Sequence, residues 1–158
     1  VSAADRRSEA DRVKARNLAE RAYHAAVRED WAAANLAMAE AGRQTPNVIA
    51  LVLSMFCDTI IGLQRARMGL PPGEDGVPED GPVRPGWFNA DTGQMTMDAD
   101  DAGLPAAVRW AGQLVAARAA LDFDGFQALL QAMPADGFKR GEYANALLRG
   151  CALAGATP

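Results

Sequence analysis

The sequence predicts an all-α fold: two similar three-helix units, each a helical hairpin followed by a third helix, packed as one orthogonal or bundle-like domain around a long acidic loop. Three observations carry that prediction. Apolar residues recur at three- and four-residue steps in both halves of the chain, as helices that bury one face require. The middle is different: five prolines between Pro71 and Pro85 and seven glycines from Gly69 to Gly103 leave no helix of useful length there. Finally, an acid-aromatic pair at a helix-to-helix turn, Asp30 and Trp31, returns as Asp122 and Phe123 at an offset of 92.

Taken in order, residues 2 to 29 hold few helix breakers, and Ala15, Leu18, Ala19, Ala22, Tyr23, Ala26 and Val27 form a stripe. A helix is expected there, regular from about Asp11. Asp30 is placed to cap a second helix from Trp31 to Ala41, with Gly42 at the C′ site where a left-handed residue ends many helices. Thr45 and Pro46 form a capped start for a third helix. From Val48 to Leu63 apolar residues lie on almost every face, so that helix is expected to be central in the core or covered by another subunit. Interrupted by Ser54 and Asp58, the stretch reads as too short to span a bilayer comfortably.

In the acidic loop, 69 to 103, Trp87 and Phe88 on one side and Met95 to Met97 on the other flank a turn at Asp91 to Gly93, which predicts a short β-hairpin. Trp87 and Phe88 are the large apolar anchors of this loop and are expected to fold it back onto the helices. The second unit begins near Leu104 with a helix from Ala106 to Leu121. Asp122 or Asp124 caps a shorter helix through Met133, stopped by Pro134, and a last helix runs from Gly137 or Lys139 to Leu153. The units so drawn span about 11 to 66 and about 104 to 154 of a single domain, 1 to 158. With two extra residues in the second copy, Ala50, Leu53 and Cys57 lie over Ala144, Leu147 and Cys151.

Glu29, Asp30 and Trp31, followed by Ala34 and Ala41, resemble the turn of the tetratricopeptide repeat, in which the second helix of a hairpin begins after a Gly-Asp-aromatic turn and carries alanines at set positions. The second copy, Leu121, Asp122 and Phe123, departs from the pattern, because Phe126 and Met133 stand at the alanine positions. The copies are also 92 residues apart, not the family's interval of about 34. The resemblance implies a peptide-binding groove lined by the first helices of the hairpins.

A net charge of −4 disfavours a general grip on nucleic acid or an anionic membrane. Charge is nevertheless uneven. Residues 1 to 28 hold seven Arg or Lys against four acids, and residues 69 to 105 hold eight acids and one Arg, Arg84. The N-terminal residues read as too charged for a secretory signal, so a cytoplasmic location with reduced, buried Cys57 and Cys151 is expected. Fourteen Arg against two Lys, with abundant Ala and Gly, is the usage of a GC-rich genome, and a bacterial source is expected.

His24 is the only histidine, which excludes a multi-histidine metal cage or a histidine pair. Asp91, Asp98, Asp100 and Asp101 lack the central Gly and terminal Glu of an EF-hand loop and read as solvated or N-capping acids. No phosphate loop, nucleophile elbow or cysteine-histidine arrangement is present. No catalytic, cofactor-binding or metal residue is therefore assigned. Asp58, within the most apolar helix, needs a partner, for which Arg109, Arg118 and Arg149 are the candidates. The residues singled out for interaction or for a pocket are Trp31, Asp58, Trp87, Phe88, Arg109 and Arg149. These features predict a non-enzymatic helical protein-interaction or regulatory module, with an unidentified protein partner or a homodimer through the Val48 to Leu63 helix. The competing expectation is a small-molecule-binding protein or enzyme with an inter-helical pocket closed by the 69 to 103 loop.

Overall fold

The computed structural model describes residues 2–69, 87–89, 94–96 and 104–156. Among these lie six helices: α1 (Ala3–Val27), α2 (Trp31–Gly42), α3 (Pro46–Arg67), α4 (Ala106–Ala119), α5 (Phe123–Gln131) and α6 (Gly137–Ala156). A two-stranded antiparallel ribbon, β1 (Trp87–Asn89) with β2 (Gln94–Thr96), sets Trp87 opposite Thr96 and Phe88 opposite Met95. The turn expected at Asp91 to Gly93, the acids Asp98 to Asp101, and the fold-back contacts of the Trp87 and Phe88 side chains lie outside the described residues.

The helix starts follow local chemistry. α1 begins at Ala3, within the helix expected over residues 2 to 29, and Ser2 and Asp5 form a capping box there: the Ser2 Oγ accepts from the Asp5 amide at 3.1 Å, and the Asp5 carboxylate accepts from the Ser2 amide at 3.2 Å. The hydrogen bond from the Ser2 side chain also holds the Asp5 carboxyl below its ordinary range. Thr45 accepts from the Val48 amide and Pro46 stands in the first turn of α3, where its missing N–H is not needed. α3 continues to Arg67, giving 22 residues that contain an 18-residue window of mean hydropathy 1.8, so by length and composition it is long enough to cross a membrane, contrary to the shorter span read from the sequence.

The helix ends differ from expectation at one glycine. Gly42 is the last helical residue of α2, and the C-cap is Arg43 in the right-handed region, with the Gln44 side chain donating to the Glu40 carbonyl at 3.2 Å. The left-handed residues fall elsewhere: Gly69 (φ 69°) just beyond α3, and Glu29 (φ 61°) and Leu121 (φ 54°) in the two hairpin turns. Each of the two turn residues is followed by an aspartate whose amide reaches back to a carbonyl five residues earlier: Asp30 to Ala25 at 2.9 Å and Asp122 to Ala117 at 2.9 Å. This is the closing bond of a Schellman-type end, in which a single left-handed residue reverses the chain. Each aspartate then caps the next helix, Asp30 accepting from the Ala33 amide at 3.1 Å and Asp122 from the Gly125 amide at 2.9 Å. α5 stops at Gln131, two residues short of Met133, and α6 runs on to Ala156.

α3 is the central helix, packed by α1, α4 and α6, and its Val48, Val52, Leu53, Phe56, Cys57 and Ile60 are all buried. Of the remaining contacts, those of α1 and α4 pair off, while α2 also touches α3 and α6. α1 lies on α2, α3 and α6; α4 lies on α5, α6 and α3; α3 and α6 lie on each other. Small side chains set the spacing of the first hairpin, where Ala15, Ala19, Ala22 and Ala26 of α1 and Ala34, Ala37 and Ala41 of α2 are buried. Arg21 bonds Glu40 at 2.9 Å to fasten α1 to α2, and Asn47 donates to Asp11 at 2.9 Å to fasten the start of α3 to α1.

Candidate functional site

Because α1 and α3 lie side by side, a shallow groove opens between them. Its volume is about 360 Å³, and its wall is formed by Arg16, Ala19, Glu20 and Tyr23 of α1 with Met55, Phe56, Asp58 and Thr59 of α3. The floor is apolar: Phe56 is buried, and Tyr23 and Met55 are half-buried. Tyr23 is held at one end of the groove by α6, since its hydroxyl lies where a side chain on Gly155 would project. The rim is charged. Arg16 and Glu20 are exposed, and among the described residues neither side chain has a hydrogen bond or ion pair. Arginine one turn before glutamate is the less favourable order for an intrahelical pair, which fits their separation.

Asp58 is committed to Arg118. The guanidinium reaches it through two hydrogen bonds, Nε to Oδ1 at 2.9 Å and Nη2 to Oδ2 at 3.1 Å, and the side chain of Asp58 is 54% exposed against 30% for Arg118. The hydrogen bond to Asp58 raises the pKa of Arg118 further above its ordinary value. Arg118 also sits 5.9 Å from the Phe126 ring centroid, so the pair links α3 through α4 to α5. A bidentate pair this open to water fixes orientation more than it adds stability.

The other singled-out residues are not gathered at this groove. Trp31 and Arg149 are brought together, with the guanidinium carbon 5.4 Å from the indole centroid, joining the start of α2 to α6. Arg109 is half-buried on α4 with a buried Nε that has no hydrogen-bond partner, and it does not meet Asp58. Trp87 and Phe88 stand in β1, and their side chains lie outside the described residues. The residues missed from the sequence are Arg16, Glu20, Tyr23 and Met55. The signal for Arg16, Glu20 and Tyr23 was a second stripe on α1, beside the alanine stripe, that mixes apolar residues with charges; Met55 lies on α3.

Cys57 and Cys151 are free and fully buried. The Cys151 thiol donates to the Phe56 carbonyl at 3.1 Å, which places it against α3 one residue before Cys57. Burial pushes both thiols well above their ordinary range; for Cys57 the neighbouring Asp58 charge adds to it, and for Cys151 the influence of Cys57 does. Neutral thiols of this kind pack as small hydrophobes. Among the described residues no three His, Cys, Asp or Glu side chains converge as a metal-ligand set. His24 is exposed, with its ring 5.5 Å from that of Tyr23.

No family model, curated protein or solved structure matches this chain. The geometry of the groove and the pairing of the helices are therefore the ground for a functional reading.

Proposed function

We propose that this protein is a helical protein-interaction module whose working face is the groove between α1 and α3. The single observation that carries the reading is the make-up of that groove: an open apolar floor of Tyr23, Met55 and Phe56 beside Arg16 and Glu20, which have no ion pair among the described residues. Tyr, Met and Arg are the side chains enriched in the centres of protein interfaces, and a shallow, open groove suits a helix or extended segment better than an enclosed small molecule. The resemblance of the α1–α2 turn to the tetratricopeptide hairpin points the same way, since it implies a groove lined by a first helix, as α1 lines this one.

The same reading takes the chain as a duplicated three-helix unit, α1 to α3 and α4 to α6, working as a cytoplasmic scaffold. Support comes from the matched turns at Asp30 and Asp122 and from the contacts of α1 with α2, α3 and α6, which are matched by those of α4 with α5, α6 and α3. A photo-crosslinking amino acid placed at Met55, with Ala128 on the exposed side of α5 as control, tests the assignment in the producing cell. A discrete protein adduct at Met55 and none at Ala128 is the expected result. Native mass spectrometry showing a stoichiometric small molecule, or equal labelling from both positions, would overturn it.

A further inference from the structure

α1 presents a stripe that the six-helix packing uses only at its C-terminal end, where Tyr23 and Val27 are half-buried. Glu9, Val13, Arg16, Glu20, Tyr23 and Val27 follow one another in steps of four, three, four, three and four, the spacing of a coiled-coil seam. They lie to one side of the buried stripe of Ala15, Leu18, Ala19, Ala22, Ala25 and Ala26. Along the first half of α1 little covers them. Residues 2 to 14 are exposed apart from a half-buried Asp11, so about 18 Å of helix, at 1.5 Å per residue, stands proud of the core. Val13, a large apolar side chain, is 46% exposed there.

Read backwards, this stripe complements itself. Laid antiparallel on the α1 of a second copy about a twofold axis, Arg16 faces the partner's Glu20 and Glu20 faces the partner's Arg16. In the same register Val13 faces the partner's Tyr23, at the wall of the α1–α3 groove, and Glu9 faces the partner's Val27 at the edge. The two charges that have no mate among the described residues thus find one each, twice over, and the projecting half of each α1 covers the apolar floor of the other groove. An interface of this kind is isologous: the same patch serves both subunits.

Resting on the reading of the α1–α3 groove as an interaction face, we infer that its occupant is a second copy of this chain, held as an antiparallel α1 pair with Val13 seated beside the partner's Tyr23 and Met55 and with reciprocal Arg16–Glu20 bridges. The dimer seam then belongs to α1 and the edge of α3, with the body of α3 left to the core of each subunit.

Sedimentation velocity over a wide concentration range, with three charge variants, tests this. Arg16→Glu sets two acids against two, Glu20→Arg sets two bases against two, and each is expected to weaken self-association about tenfold or more. Mixing the two single variants restores both bridges and should yield a heterodimer, and Arg16→Glu/Glu20→Arg in one chain should dimerise like the parent. Both positions are exposed, so circular dichroism should show unchanged helix content in every variant. A parent that is monomeric at all concentrations, single variants that dimerise undiminished, or folded single variants that fail to pair when mixed would each overturn the inference. A monomeric parent whose Met55 crosslinks to a different protein in the cell would sink the second-copy assignment while leaving the groove as an interaction face.

Discussion

The two helical hairpins share a turn and differ in what they pack through it. In α1–α2 and in α4–α5 a left-handed residue, a back-reaching amide and a capping aspartate reverse the chain in the same way. Beyond the turn, the positions offset by 92 diverge: Ala34, Ala37 and Ala41 on α2 correspond to Phe126, Leu129 and Met133 after Asp122. The alanines are all buried and let α2 lie close on α1, and α2 also touches α3 and α6, where Trp31 meets Arg149. α5 has α4 as its one substantial helix neighbour among the described residues, buries only Phe126, and leaves Phe123 66% exposed. A reverse turn is local chemistry and tolerates either outcome. How closely two helices approach, and how much of the rest of the fold they reach, depends on the volume of the residues between them.

The largest effect is expected where the two halves share a core. Phe56→Ala should cost about 3–5 kcal/mol in urea denaturation, the range for truncating a buried Phe. A loss below about 1 kcal/mol would mean that α3 is not the common core of both hairpins.

Each half contributes one buried thiol, and this gives the next largest effect, on the alkaline side. Both folded pKa values are raised, so the folded protein holds its thiol protons after the unfolded chain has lost them. The contribution is complete below the unfolded value of about 8.5 and declines as pH rises above it, by about 1.4 kcal/mol per pH unit for each thiol. Urea midpoints measured from pH 8 to pH 10 should show a slope that Cys57→Ala or Cys151→Ala halves and the double replacement removes. Unequal single effects would break the equivalence of the two cysteines.

Exchanging the packing residues sharpens the comparison further. Ala34→Phe places the second hairpin's residue in the first and should destabilise by about 1–3 kcal/mol through overpacking. If calorimetry finds it neutral, the α1–α2 spacing is not set by its alanines. The smallest expected effects are those of the shared turn: Asp30→Ala and Asp122→Ala should each cost about 1 kcal/mol, the usual loss for an N-cap, and should match within error. A clear inequality would show that the two turns are held by their surroundings and not by their own hydrogen bonds.

Much of the helical layout was legible because its causes lie within four or five residues of each other. Thr45–Pro46, Asp30 and Asp122 each start a helix through a bond to a nearby amide, so their roles can be read from residue order. Gly42 misled because its flexibility permits a left-handed cap without requiring one, and Glu29 and Leu121 adopt that conformation despite its cost for residues with a side chain. At the start of α1 regular helix was expected only from about Asp11, because the capping box of Ser2 and Asp5, which satisfies free amides there, is short and easily passed over. The groove was less legible, since its two walls come from helices whose facing residues are 36 or so positions apart, as Ala19 and Met55 are.

By itself, then, the sequence determined the helices, their capped starts, the reversal at both hairpins and the burial of Cys57 and Cys151, because periodicity and local hydrogen bonding fix these within a few turns of chain. Only the tertiary structure decided which arginine meets Asp58 and which meets Trp31. Arg109, Arg118 and Arg149 are alike in reach and charge, and nothing in residue order separates them. The choice fell to Arg118 and Arg149 because the packing of α3 on α4 and of α2 on α6 brings those side chains within bonding distance, and an ion pair or a cation-ring contact forms only where helices already held by apolar burial place the two groups together.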